Sequence, residues 1–437
     1  MNTWTIDGGS PLCGEVQLSG TKNSITKLVI VSMLTTQPCI FSNAPRVGDS
    51  KITQEICEAL GAHFSDLGRN LLQVETPIIT RSAIPLALGS RNRLAIMTLA
   101  PLLHRTGEAI IPIAAGGDRI GPRPVDFHLE GYRKMGADIC IEEDVYHVRA
   151  DRLHGAELVL PYPSVTTTEN LLLGAVLAKG RTFIRNAAIE PEIMDLVMCL
   201  QKMGAIIDYN TDRTLVVEGV DSLNGVVHEV MPDRIVAASL ASAAIASKGD
   251  IFVRGARQPD LVTFLNTLRR VGGKFDVQND GIRFFYEGAL TSIALETGVH
   301  PGFMTDWQPP FVVLLTQANG MSVLHETVFE SRFGYVAELQ KMGADIALYD
   351  TCLGNALCRF RSSNYRHSCV IKGPSRLRGS DIVVPDLRAG FTYLIAAIIG
   401  EGKSTIQGIE HIERGYEDLE ECLRSLGAQI TALPSAG

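Results

Sequence analysis

Asp118, Arg119 and Arg123 stand close together in the stretch AAGGDRIGPRPVD, residues 114–126, with three glycines and two prolines. A carboxyl group on a glycine-jointed loop can carry a proton to a bound molecule, and guanidinium groups beside it can hold phosphate or carboxylate through paired hydrogen bonds. The loop therefore reads as one that carries chemistry. Further cations stand where apolar segments begin: Lys22 in SGTKNS, Arg93 in SRNR and Arg388 in VPDLRAG. The first-turn N–H groups of a helix favour an anion, and a cation added there makes a phosphate or carboxylate clamp. Ordinary capping by Ser, Thr or Asp is the better explanation of any single one of these starts, and it weakens where several converge. A second set of polar segments, APRVGD, NAAIEPEIMD, GARQPD with Arg257, TVFESRF and EHIERGYED with Arg414, follows short β-rich runs.

These residues must be positioned by a repeating scaffold. Gly61, Gly136, Gly204, Gly272, Gly343 and Gly427 recur in EALGAHF, RKMGADI, QKMGAII, RRVGGKF, QKMGADI and RSLGAQI, spaced 75, 68, 68, 71 and 84 residues apart. Each marks a helix ending in a glycine cap that turns into a strand. Upstream of each lies a second helix, apolar nearly all round, such as ENLLLGAVLA or RIVAASLASAAIA. Such helices are buried on every side. Each repeat reads strand, buried helix, strand, amphipathic helix, then further strands. Six repeats fill the chain, three on each side of a boundary near residue 230. Symmetry-related loops then gather at one end of each domain, around a cleft suited to a small molecule. A repeat-built protein that binds anionic metabolites without turnover has the same scaffold, and only the placement of the polar residues argues against it.

Composition narrows the classes. With 40 Lys and Arg against 48 Asp and Glu, the net charge is −8, so a global attraction to nucleic acid or an anionic membrane is not indicated. Nine cysteines without a CxxC pair read as reduced cytoplasmic thiols. MNTWTIDGGS lacks the marks of a signal peptide, and no apolar run approaches the ~18 residues of a membrane span. A soluble, cytoplasmic protein is expected. GEGKST at 400–405 fails as a phosphate loop, because Ala397 occupies the place of its first glycine and the order of helix and strand is reversed. His367 and Cys369 with Cys358 suggest zinc, but no second paired ligand motif accompanies them and no metal site is expected. His128 reads as a packing or hydrogen-bonding residue.

Taken in order, SGTKN, GGDRIGPRPVDFH, PSVTTTEN, NAAIEPEIMDL, HPGFMTD, TVFESRF, PDLRAG and HIERGYE resemble the motifs of the UDP-N-acetylglucosamine 1-carboxyvinyltransferase branch of the enolpyruvyl transferase family. The likeness covers essentially the whole chain. The related shikimate-pathway branch usually has Gly-Ser-Lys-Ser where this chain has Gly20-Thr21-Lys22-Asn23. The resemblance implies an α/β fold, a two-domain inverted α/β barrel of six βαβαββ repeats, three per domain. It places 22–230, with a catalytic loop at 112–124, in one lobe and 1–21 plus 231–437 in the other, with the substrates in the cleft between. It implies transfer of the enolpyruvyl group of phosphoenolpyruvate to the 3-hydroxyl of the sugar nucleotide, by addition and then loss of phosphate, as the first committed step of peptidoglycan precursor synthesis. No metal or other cofactor is implied.

By the same resemblance Lys22, Asn23, Arg123, Arg388 and Arg414 contact phosphoenolpyruvate, and Lys22 and Arg414 count among the catalytic positions. Asp306 accepts the proton of the attacking hydroxyl. Arg93, Arg123, Pro124, Val125, Asp126, Phe127, Tyr162, Pro163, Ser164, Val165, Asp306 and Val328 line the nucleotide-sugar site. The tip of the mobile loop carries Cys in many members and Asp in others; here it is Asp118, and none of the nine cysteines can replace it by position. An ordinary aspartate is about three units too acidic to hold a proton at pH 7, a deficit on the order of 4 kcal/mol. Burial against the anionic donor under a closed loop works in the required direction. Proton donation and assistance to phosphate departure both remain open for Asp118. Thr166 stands where the family has Gly, and Val236 where an acidic residue usually follows DRI, so a paralogue acting on another nucleotide or nucleotide sugar is the second reading.

Overall fold

The computed structural model describes residues 3–68, 70–113, 120–121, 124–355 and 358–433. They form two compact lobes, Gly20–Gly117 with Arg123–Met231, and Met1–Ser19 with Pro232–Gly437. The chain passes from one to the other at Ser19/Gly20 and Met231/Pro232, two residues before and one after the boundaries read from sequence. Ile120 and Gly121, which the sequence reading assigns to the first lobe with the 112–124 loop, group instead with the second. The reason is local: the Ser331 N–H donates to Ile120 O at 3.1 Å.

Each lobe is built on three buried helices. In the first these are Lys22–Val31, Leu99–Thr106 and Val165–Ala175; in the second, Arg234–Ala246, Gln308–Leu315 and Leu387–Ile399. Buried along most of their length, they carry little polar surface, except that Leu99–Thr106 ends in half-buried His104 and Arg105 and exposed Thr106. The small side chains of RIVAASLASAAIA let its helix pack closely on Gln308–Leu315. Phe311 there is fully buried, edge-on to Phe264 and Phe303 at 5.8 and 5.3 Å. Truncating such a ring to Ala costs about 3–5 kcal/mol.

Outside the helices lie six small sheets, five of four strands and one of three among the described residues. The third repeat shows the plan. Glu157–Val159 runs parallel to Arg181–Arg185, and Thr214–Glu218 and Ile206–Asn210 complete the sheet antiparallel. Arg181–Arg185 buries Thr182 and Ile184, leaves Phe183 between them half-buried and exposes the arginines at its two ends, the period of a half-buried strand. All six outer-helix glycines, from Gly61 to Gly427, take φ between 95° and 113°, a left-handed turn that a side chain resists.

Strands are also exchanged along the chain. Thr3–Asp7 is a central strand of the sixth repeat's sheet, antiparallel to both Lys403–Gln407 and Gln429–Leu433. Cys13–Gln17 lies parallel to Asp250–Arg254, and Val226–Glu229 parallel to Cys39–Ser42. The leading strand of the first repeat thus comes from residues after the third, and that of the fourth from near the start of the chain.

Three elements depart from the regular pattern. The second repeat's buried helix opens as a tight 3₁₀ segment, Arg93–Thr98. The fifth repeat's outer helix is only Val336–Lys341. The sixth's is split into Ile409–Glu413 and Leu419–Ser425, because Gly415 packs on Leu387 and Asp418 turns left-handed at φ 45°. No described helix is long and apolar enough to cross a membrane.

Candidate active site

In the second lobe the starts of the three buried helices come together, each introduced by an aspartate. Asp233 accepts from the N–H groups of Ile235 and Val236 at 2.8 and 3.1 Å. Asp386 accepts from those of Arg388 and Ala389, both at 3.0 Å. These are N-caps, so the first-turn amides are already taken and the capping alternative holds here. Thr21, Asn92 and Ser164 cap the first lobe's starts in the same way. Any anion clamp at these helix ends would therefore have to be made by side-chain cations.

Asp306 differs from its two neighbours. It lies in the 3₁₀ turn Thr305–Trp307 ahead of Gln308–Leu315, whose N-cap positions Met304 and Trp307 make no side-chain cap bond. Its Oδ1 accepts from Arg332 Nη2 at 2.6 Å, and its Oδ2 lies 3.2 Å from Arg388 Nη2. The carboxylate is 18% exposed while the Arg332 and Arg388 side chains are 1% and 7% exposed. Burial works against the Arg388 charge, yet Asp306 first, then Tyr416 and Asp233, outweigh it and raise its pKa, so the guanidinium stays a cation. Arg388 Nη1 also donates to Tyr416 Oη at 3.3 Å. Arg414, half-buried, ends the helix Ile409–Glu413 two residues before that tyrosine. Deleting Asp306 would leave two buried cations facing one another, a loss of about 3–5 kcal/mol.

Val328 is tied to the same cluster. The fully buried Glu326 accepts from the Val328 and Phe329 N–H groups at 2.8 and 3.1 Å, and through its other oxygen from Thr305 Oγ1 at 2.9 Å. Burial pushes this carboxyl up, and Arg332 and those hydrogen bonds pull it back. The chemical product is a carboxylate open on one side, held by two guanidinium ions, beside a fixed loop edge. Such a group can take a proton, and its cations can steady an anion next to it.

The first lobe holds the remaining described positions. Lys22 opens its helix with Nζ 3.3 Å from Asp49 Oδ2, and Asn23, half-buried, follows it. One turn deeper, Lys27 Nζ lies 3.5 Å from Glu169 Oε2 and donates to Asn23 O at 2.7 Å. Burial pushes the Glu169 carboxyl up to about 7, against the pull of Lys27 and with repulsion from Glu192 and Glu190. Arg93 begins its 3₁₀ turn, half-buried, in the same electrostatic neighbourhood of Tyr146 as Asp126. Pro124 and Asp126 are exposed and Val125 half-buried. Phe127 lines a shallow recess with Lys134, Leu158 and Pro161. Tyr162, Pro163, Ser164 and Val165 form the half-buried turn into Val165–Ala175. His128 is buried with Nδ1 3.0 Å from Asn170 Nδ2, and burial lowers its pKa to about 4, so it packs as a neutral ring. Asp118 and Arg123 lie outside the described residues.

The structure thus brings Asp306, Arg388 and Val328 into one network with Arg414 near its edge, and Lys22 with Asn23 into another. Arg332, Tyr416, Glu326 and Asp49 had no assigned role in the sequence reading. The signal for Arg332 and Tyr416 was present, since TVFESRF and HIERGYE are two of the polar loops at the repeat ends.

Fold and site together define an enolpyruvyl transferase: the chain belongs to the EPSP synthase (3-phosphoshikimate 1-carboxyvinyltransferase) family, whose pattern matches residues 6–423. Within it, the chain is 48% identical over 438 residues to the UDP-N-acetylglucosamine 1-carboxyvinyltransferase of Protochlamydia amoebophila, covering 99% of this chain and 94% of that protein. It is 47% identical over 429 residues to the protein of the same name from Chlamydia pneumoniae, covering 97% and 94%. Of solved structures, the enolpyruvyl transferase NikO from Streptomyces tendae matches with a TM-score of 0.87 at 25% identity, over 99% of this chain and 100% of that one. EPSP synthase from Acinetobacter baumannii, at a TM-score of 0.74 and 16% identity over 99% and 100%, shares the fold. The architecture is the two-domain α/β fold of these transferases.

Proposed function

We propose that this chain transfers the enolpyruvyl group of phosphoenolpyruvate to the 3-hydroxyl of UDP-N-acetylglucosamine, releasing phosphate, in the first committed step of peptidoglycan precursor synthesis. The observation that carries the reading is Asp306, a carboxylate held between Arg332 and Arg388 in a chain nearly half identical to proteins named for this activity. In the proposed mechanism Asp306 takes the proton of the sugar hydroxyl as its oxygen bonds to C2 of phosphoenolpyruvate, while C3 gains a proton. The tetrahedral adduct then loses a C3 proton and phosphate, restoring the double bond. Lys22, Asn23, Arg123, Arg388 and Arg414 hold the donor's phosphate and carboxylate, because ionised groups gain most from charge-assisted pairs. Asp118 delivers the C3 proton or assists phosphate departure.

In this reading Arg93, the Arg123–Phe127 run, the Tyr162–Val165 turn, Asp306 and Val328 bind the nucleotide sugar. The partners are two small molecules, with neither nucleic acid nor membrane among them. The compartment is the cytoplasm, which suits nine free thiols. A different acceptor is favoured by one observation: Thr166 and Val236, both half-buried in the first turns of inner helices, replace the usual residues there.

Phosphate release from phosphoenolpyruvate, measured over a panel of nucleotides and nucleotide sugars, tests these readings together. UDP-N-acetylglucosamine should give the highest kcat/KM. A better acceptor would establish the paralogue, and binding heat without phosphate release would leave only an anion-binding protein.

A further inference from the structure

Four donor groups that the reaction does not use meet at the end of the fifth repeat's sheet in the second lobe. His325 ends the strand Gly320–His325, and His367 precedes the strand Ser368–Gly373 that pairs with it antiparallel. Cys352 and Cys358 come from the connection that follows Asp345–Tyr349. One ligand atom from each of the four lies within 4.8 Å of all the others. Tetrahedral zinc, with Zn–S near 2.3 Å and Zn–N near 2.0–2.1 Å, sets its donors about 3.3–3.8 Å apart. Cys352 Sγ and His367 Nε2 already stand 3.3 Å apart, and closing the rest needs side-chain shifts of about 1 Å or less.

Independent features point the same way. His367 Nδ1 lies 2.6 Å from Tyr365 O, so an Nδ1–H donated there leaves the Nε2 lone pair facing the two sulfurs. Such an outer hydrogen bond orients a metal-binding imidazole. His325 is fully buried, yet neither ring nitrogen has a hydrogen-bond partner among the described residues. Leaving a buried polar group in that state costs about 1–3 kcal/mol. A cation would take one nitrogen, and Glu296 Oε2, 3.7 Å from Nδ1, stands ready to orient the ring. The Phe360 N–H donates to Cys358 Sγ at 3.3 Å, which fixes the position of that sulfur.

We propose that His325, Cys352, Cys358 and His367 form a structural zinc site. The ligand set is closed, two thiolates and two imidazoles with no open position for substrate or water, so the ion does no chemistry of its own. On binding, both thiols release their protons to solvent. The ion fastens the connection between Tyr349 and Ser368 to the sheet. That connection carries Arg359, which donates to Val328 O and Glu330 and so braces the segment next to Glu326. From sequence alone, His367, Cys369 and Cys358 suggest zinc without a second paired motif, and no metal is expected. Cys369 is wrong for the role: it is a fully buried strand residue that does not join the cluster, and Cys352 and His325 take the two remaining places.

The test uses the full chain, purified under reducing conditions, with Zn²⁺ and Co²⁺ as probes. Metal analysis should find one zinc per chain. After chelation, Co²⁺ should restore the intense visible bands of tetrahedral cobalt with thiolate charge transfer. Cys352→Ser and Cys358→Ser should each weaken Zn²⁺ binding at least about 100-fold, the upper end of what losing an outer-shell partner costs, while Cys369→Ser leaves the spectrum unchanged. Should the serine variants fail to fold, alkylation of the unaltered chain decides: Zn²⁺ should protect Cys352 and Cys358 but not the exposed Cys13 and Cys140. Failure of the unaltered chain to bind Zn²⁺, an unprotected Cys352, or a Cys352–Cys358 disulfide as the resting form would each overturn the site.

Discussion

The two lobes share a scaffold but hold their internal charges differently. In the first, a lysine and a glutamate meet a turn inside the helix bundle, and burial leaves Glu169 titrating near neutrality. In the second, Asp306 sits in the turn that leads into its helix, partly exposed, and is held by two buried guanidinium groups. One repeat plan thus yields a sealed pair whose charge burial disfavours and a partly exposed carboxylate paired with two cations. The lesson is that depth along the inner helix, rather than residue type, separates a sealed ion pair from one that solvent can reach.

That contrast can be broken in several ways. Asp306→Asn keeps the shape but removes both the base and the charge that Arg332 and Arg388 face, so kcat should fall about 10²–10⁴-fold and the urea midpoint should drop with it; an unaltered kcat would move the base elsewhere. Asp118→Ala should also reduce kcat, on the order of 100-fold, while calorimetry finds nucleotide-sugar binding nearly intact. Equal losses in both would count against a chemical role for Asp118.

The first lobe's pair predicts a pH effect. A folded pKa near 7, above the usual carboxylate value, means the native state holds the Glu169 proton more tightly than the unfolded chain does. The associated stability is complete below about pH 4.5 and is lost as pH rises through 7, on the order of 3 kcal/mol. Glu169→Gln should flatten that slope in urea titrations at pH 5 and pH 8; an unchanged slope would place the titrating group elsewhere. The smallest effect is a null one. A carboxylate is a poorer target than a thiolate for epoxide alkylation, so fosfomycin should give no time-dependent inactivation, and mass spectrometry finding an adduct on Asp118 would refute this.

Much of the scaffold was legible because it is local. Six glycines at helix ends and six apolar runs are patterns within a few residues, and each glycine does take the left-handed turn. The pairing of Thr3–Asp7 with strands some 400 residues away leaves no local trace, so only family likeness pointed to it. Asp306 and Arg388 could be named from motifs, but their ion pair could not. Arg332 resembles any surface arginine in a polar loop until the fold buries it. The irregular spacing of His325, Cys352, Cys358 and His367 likewise conceals a cluster that strand pairing creates.

The strand exchange bears on how the chain matures as it is made. By the time Met231 has left the ribosome, every described strand of the first lobe is present, Val226–Glu229 included. The opening strands have no such prospect: Cys13–Gln17 waits for Asp250–Arg254, and Thr3–Asp7 stays without either neighbour until translation passes Gln407. For most of synthesis the nascent protein therefore trails a bare β-segment ahead of a finished lobe, a period in which chaperones or premature pairing with a second nascent chain have their opening.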